Sequence, residues 1–215
     1  MPRPLVSPIG EAKFAMILGE PRAYENSPDR TWQLDLVMDP ADEACKAFEK
    51  FIQTKFEEIH GKTKKISKNG WPFKPDIYKN DEGEEIPTGK IKFKFKRKET
   101  NRDGIAVGAP KVVDAEKKDW DQSKLIGNGS LIKVAYSIFG WEMGGKGVSL
   151  RLEQVQVLKH EPYEPDVDVF SEEPDYVVKE PTAFDAGGVV SGEPCSIEDQ
   201  LNKAKADAQT KELPF

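Results

Sequence analysis

The sequence predicts a mainly β fold: a small five-stranded Greek-key barrel with one packed helix and a disordered acidic tail. Three observations predict it. From Lys90 to Lys98 a lysine stands at every second position, with Ile91, Phe93 and Phe95 between. That is a strand with a basic outer face and an apolar inner one, because successive side chains of a strand point to opposite faces. Cys45, Phe48, Ile52, Phe56 and Ile59 recur at spacings of three and four, one apolar stripe on a helix. From Glu161 to Phe215 there are 14 acidic and 4 basic residues, several prolines and no period. Such a stretch cannot bury enough apolar surface to order itself.

In chain order, residues 1–11 read as a proline-rich loop and Ala12 to Leu18 as a short strand with Phe14 and Met16 on one side. Gly19 to Asp29 is a connection. Arg30 to Met38 is a half-buried strand, with Trp32, Leu34, Leu36 and Met38 facing one way and Thr31, Gln33 and Asp35 the other. Asp39-Pro40 is a helix start with aspartate as N-cap, and Gly61 is the stop. The helix, about 40–60, packs on the sheet, and His60 is expected at its surface end.

Lys62 to Gly70 is a basic loop. Trp71-Pro72-Phe73-Lys74-Pro75 follows, where the prolines deny a central place in a sheet. Its aromatics beside lysine suit single-stranded nucleic acid, since every base has a π-face to stack. Equally, Trp71 and Phe73 could cap one end of the core. Asp81 to Glu85 is an acidic turn into the lysine strand. Pro110 to Asp114 is a short strand, Ala115 to Lys124 a charged connection, and Leu125 to Ser130 a glycine-containing bend. Leu131 to Phe139 is a strand with Ile132, Val134, Tyr136 and Ile138 on one face. Lys133 and, by continued parity, Trp141 lie on the other. After a turn at Gly144 to Gly147 the chain returns as Val148 to Lys159. Val148, Leu150 and Leu152 are out of phase with Val155 and Val157, which places a bulge near Glu153-Gln154. Short strands, one helix and a late long hairpin fit a barrel of the OB type, over residues 1–160.

Charge narrows the function. The net −6 divides into −10 for residues 161–215 and +4 for residues 1–160, and Lys62 to Lys98 holds 12 basic against 5 acidic residues. A basic body with an acidic appendage points to nucleic acid, the tail acting on the same surface. The simpler reading of the lysine strand is an edge kept soluble by charge. No run approaches the roughly 20 apolar residues of a membrane span. Met1-Pro2-Arg3-Pro4 lacks a signal peptide's apolar core, and Cys45 and Cys195 give neither metal site nor disulfide framework, so an intracellular protein without membrane association is expected. Gly140 to Gly147 nearly matches a phosphate-binding loop, but Gly147 stands where Ser or Thr belongs and strands lie on both sides, which makes it a hairpin turn. His60 and His160 have no nucleophile or cysteine partner. Neither catalysis nor a cofactor is expected. The tail carries a possible short helix over 197–208 and ends Leu213-Pro214-Phe215, a tip that an apolar pocket with a basic rim on a partner could capture.

Over about residues 7–160 the chain resembles the single-stranded DNA-binding proteins of short-tailed, double-stranded DNA bacteriophages. The resemblance rests on Ser7-Pro8-Ile9-Gly10-Glu11-Ala12, Leu34-Asp35-Leu36, Trp71-Pro72-Phe73, Phe93-Lys94-Phe95-Lys96 and Val112-Val113-Asp114. Leu125-Ile126-Gly127-Asn128-Gly129-Ser130, Val134-Ala135-Tyr136-Ser137 and Val148-Ser149-Leu150-Arg151-Leu152-Glu153 follow in the same order. It implies an OB-fold core that binds single strands without sequence choice, in DNA replication, recombination and repair. It implies a tail that competes for the DNA groove and recruits replication proteins such as DNA polymerase and helicase-primase. It also implies a homodimer, in the cytoplasm of an infected bacterial host. The DNA-contacting lysines fall on Lys94 and Lys96, the stacking aromatic on Trp141 and a further basic residue on Arg30. With Lys92, Lys133, Trp71 and Phe73 these form the candidate DNA-binding set, and Leu213, Pro214 and Phe215 the partner-binding tip. That tip looks more like the end of cellular bacterial single-strand binders, which leaves the tail's partner open. The other reading of the chain is a non-enzymatic interaction factor working through the tail, with the barrel as scaffold.

Overall fold

The structure is a computed structural model of the chain; it describes residues 3–163 except 24–28, 63, 64, 81 and 102. Nine strands and a helix follow in order: β1 (Leu5–Val6), β2 (Gly10–Met16), β3 (Arg22–Ala23), β4 (Arg30–Met38), α1 (Glu43–His60), β5 (Phe73–Lys79), β6 (Glu85–Lys98), β7 (Lys111–Val113), β8 (Leu131–Glu142) and β9 (Lys146–Lys159). Five of them close a ring in the order β2–β4–β6–β9–β8, with β8 returning to β2. The ring is antiparallel except where β6 meets β9 in parallel, Phe95 beside Leu150. This is the expected OB-type barrel. The remaining strands are additions: β1 on β8, β3 on β4, β5 on β6, and β7 parallel to β9.

Strand alternation fills the barrel. Leu34 and Leu36 of β4, Phe93 and Phe95 of β6, Ile132, Val134 and Tyr136 of β8, and Leu150, Leu152 and Val155 of β9 are buried together. Helix α1 lays Cys45, Phe48, Ile52 and Phe56 on this core. The Phe48 ring sits 4.7 Å from Phe93 and 5.7 Å from Tyr136. Gly61, with φ 70° and ψ 179°, ends the helix in a conformation that disfavours any side chain. The bulge in β9 lies where the phase change put it. Ala135 faces Gln154 and Tyr136 faces Leu152, which leaves Glu153 unmatched.

Several expectations are corrected. The helix begins at Glu43, with Asp42 as N-cap. Asp39 Oδ1 instead accepts from the Ala41 N–H at 2.8 Å, so Asp39 closes a turn ahead of the helix. Ile59, at the end of the stripe, is 45% exposed, whereas His60 has a side chain only 4% exposed. Strand β4 is buried on both faces: Thr31, Gln33, Asp35 and Val37 join the core residues. Lysines of β2 and β6 flank these outer positions, and their long stems shield them. Residues 5–6 form a strand within the expected loop, and β3 lies within the expected connection. The regular alternation expected to put Phe14 and Met16 on one side is broken. A bulge between Lys13 and Met16 turns Phe14 outward, with φ 51° and 53% exposure. The tail, the helix expected over 197–208 and the Leu213-Pro214-Phe215 tip lie outside the described residues.

Candidate nucleic-acid interface

Alternation on β6 sends Phe93 and Phe95 inward and Lys92, Lys94 and Lys96 outward. The neighbouring strand sets what the lysines meet: Lys94 pairs in register with Asp35 of β4, Lys96 with Gln33 and Lys92 with Val37. On the other side of β6 lies the start of β9. The segment before β5 also runs beside β6, where Lys94 N–H donates to the Pro72 carbonyl at 2.8 Å. These pieces enclose a groove of about 520 Å³. Asp35, Asn69, Trp71, Pro72, Lys74, Lys92, Lys94, Lys96, Trp141, Val148, Ser149 and Leu150 line it.

Two indoles form the aromatic part of this wall. Trp141 ends β8 opposite Gly147 of β9. A Cβ at Gly147 would collide with the Trp141 ring, so the indole packs against bare backbone. That contact explains why glycine occupies the last place of the near phosphate-binding motif. His60 holds the same turn: its Nε2–H donates to the Gly147 carbonyl at 2.9 Å, and Lys146 Nζ donates to the His60 carbonyl at 3.3 Å. Trp71 is wedged between Phe56 at 4.9 Å and Phe73 at 5.5 Å. It therefore both caps the core and lines the groove.

Electrostatically the groove is a cluster of cations around one carboxylate. Burial pushes the Asp35 carboxyl above its ordinary value, against the pull of Lys94 and Lys92. Burial lowers the Lys96 ammonium, and repulsion from Lys94 adds to that. Lys92 has a second anion, Asp76, at 3.7 Å, and Asp76 is held by Lys13 at 2.9 Å. Lys94 forms no ion pair among the described residues.

The structure thus brings together Trp71, Lys92, Lys94, Lys96 and Trp141 of the candidate set. Arg30, Phe73 and Lys133 are not among the groove's lining. Arg30 braces the loop before β4, donating from Nη2 to Glu20 at 2.9 Å and from Nε to the Pro21 carbonyl at 3.1 Å. Phe73 packs inward on Phe93 at 5.7 Å. Lys133 shares an outward face with Trp141, but eight residues of strand put it roughly 26 Å away. Sequence reasoning missed Asp35, Asn69, Lys74 and Ser149 in the groove and His60 behind it. Lys74 stood in view, between Phe73 and Pro75.

No family model matches the chain, and no curated protein does. Solved structures match over most of the chain. The single-stranded DNA-binding protein gp2.5 encoded by bacteriophage T7 is 22% identical with a TM-score of 0.52, over 81% of this chain and 98% of that one. The single-stranded DNA-binding protein from bacteriophage Enc34, in complex with single-stranded DNA, is 16% identical with a TM-score of 0.55, over 74% of this chain and 88% of that one. A C-terminal truncation of the Enc34 protein gives 15% identity and a TM-score of 0.53, over 74% of this chain and 87% of that one. At these identities the likeness is one of fold.

Proposed function

We propose that this chain binds single-stranded DNA without sequence choice, in the groove between Trp141 and the lysines of β6. The observation that carries the proposal is that Lys94 and Lys96 of β6 and Trp141 of β8, distant in sequence, line one groove. The strands and the loop concerned, β4, β6 and the β8–β9 turn, are those with which OB barrels meet oligonucleotides. The folds of the phage proteins, one in complex with single-stranded DNA, support the same reading.

Lys92, Lys94 and Lys96 take phosphates and release counterions, which makes affinity fall with salt by about 0.7 logarithmic units per phosphate on a single strand. Trp141 and Trp71 take base faces, each stacked base contributing about 1–3 kcal/mol. Neither contact reads a base edge, so sequence is not selected. The protein acts as a non-enzymatic coat on single strands in phage DNA replication, recombination and repair, in the host cytoplasm. The acidic residues 161–215 compete with phosphate for the groove, and Leu213-Pro214-Phe215 recruits replication proteins such as the DNA polymerase and helicase-primase. The working unit is a homodimer.

Titration of the full chain against oligo-dT, oligo-dC and a duplex tests this. Similar affinity for the two single strands and weaker duplex binding are expected. Removing residues 161–215 should tighten binding at low salt. A full chain that ignores oligo-dT at low salt, with the truncated chain doing the same, would refute the proposal.

A further inference from the structure

We infer that Phe14 is a second stacking platform for a nucleobase, at the far side of the lysine groove from Trp141. The inference rests on the proposed single-stranded DNA binding and adds a site to it. It starts from an oddity. Phe14 lies within β2 yet has φ 51°, a left-handed conformation that disfavours bulky side chains by roughly 1–2 kcal/mol. Full burial does not account for it, because the residue is 53% exposed. The conformation is held from a distance: the Phe14 N–H donates to Asn128 Oδ1 at 2.9 Å, across 114 residues of sequence. Strain of this kind persists where the surroundings over-determine it, and it clusters at binding sites.

The bulge also decides where the ring points. In a regular strand, Lys13 and Phe14 would face opposite sides. Here the Lys13 ammonium sits 5.6 Å from the centre of the Phe14 ring, so both are on the outer face. Strand register then ties that face to the groove. Lys13 pairs with Asp35, and Asp35 with Lys94. Two interstrand spacings, about 10 Å, separate Lys13 from Lys94. Asp76 links the same two places, touching Lys13 at 2.9 Å and Lys92 at 3.7 Å. A row of side chains therefore runs across the barrel strands from the groove to an exposed aromatic ring over a cation. A strand lying along it meets lysines in the middle and an aromatic face at each side.

Two lengths of oligo-dT read this out: one of about 16 nucleotides and one of about 4, the ends of the range an OB barrel occupies. Full chains carrying Phe14→Ala, Phe14→Gly, Phe14→Tyr and Trp141→Ala are titrated with both. Phe14→Ala and Phe14→Gly should weaken the long oligonucleotide by about 5- to 150-fold, leave the short one unchanged and leave the salt slope unchanged, since no phosphate contact is lost. Phe14→Tyr should bind like wild type. Phe14→Gly should melt no lower than wild type, because glycine accepts a positive φ. Loss of long-strand binding in a chain at least as stable is what a purely structural residue would not give. Three results would overturn the inference: unchanged affinity for the long oligonucleotide, equal loss on both lengths, or an altered molecular mass in solution with DNA affinity intact, which would make Phe14 a contact between copies of the chain. Should Trp141→Ala lose affinity while Phe14→Ala and Phe14→Gly do not, the groove stands and only this extension falls. If wild type binds neither length, the reading of the groove falls as well.

Discussion

The centre and the ends of the lysine run on β6, from Lys90 to Lys98, carry the same residue on the same face and do different things with it. At the ends, Lys90 Nζ sits 2.7 Å from Glu11 and Lys98 Nζ 2.6 Å from Asp29. At the centre, Lys92, Lys94 and Lys96 share a groove with two indoles and the buried carboxyl of Asp35. The end lysines are tied to carboxylates of neighbouring segments, whereas the central ones gather around an aromatic wall. A regular row of lysines in sequence is thus sorted by what neighbouring strands place opposite each one.

The inward face tests whether centre and ends share one support. Phe95→Ala removes a fully buried ring under the central lysines, and stability should drop by about 3–5 kcal/mol in denaturant melts. Trp141→Ala removes the wall, and oligo-dT affinity should drop by about 1–3 kcal/mol on every sequence alike, with little change in the melt. Lys94→Gln should weaken binding by about 1–2 kcal/mol and flatten the salt dependence by about 0.7 logarithmic units, one phosphate's share. At the strand's end, Lys98→Gln should change affinity by less than about 0.5 kcal/mol, because an exposed pair contributes little. If Lys94 and Lys98 variants behaved alike, the distinction between centre and ends would be wrong.

Asp35 sharpens the comparison from the other side. Its carboxyl is raised by burial, so the folded chain holds a proton more tightly than the unfolded chain does. Below the unfolded value of about 3.9 this site imposes no charge-burial cost, and the cost appears as pH rises through the folded value. An ionised Asp35 beside phosphate also repels it. Acidification through the raised folded value should therefore tighten oligo-dT binding in wild type, while the lysines stay charged. Asp35→Asn should bind about 1 kcal/mol tighter at neutral pH and lose that part of the pH response. A binding curve with the same pH response in both proteins would exclude Asp35 as the brake.

Most of the barrel is legible in the chain because period-2 alternation is strong in β4, β6 and β8. Even the bulge at Glu153 can be read, from Val155 falling out of phase with Leu152. The role of Asp35 is not legible. It follows from β2, β4 and β6 being in register, which brings Lys13 and Lys94 to its two sides. His60, the last residue of the helix, reads as a surface residue because its partner, Gly147, is 87 residues away. Phe14 reads as sharing a side with Met16 because alternation assumes a regular strand, and the bulge that breaks it is tied to Asn128. Arg30 follows from the resemblance, Phe73 from residue type and Lys133 from parity, and none of the three reports which barrel wall a residue stands on.

Tryptophan fluorescence of the full chain, titrated with oligo-dT at low and at high salt, tests the groove most directly, since Trp71 and Trp141 both line it. Quenching that saturates, with a midpoint that shifts to higher DNA concentration as salt rises, is the expected result. Quenching absent at both salts, or a midpoint indifferent to salt, would contradict a groove in which lysines hold phosphate and indoles hold bases.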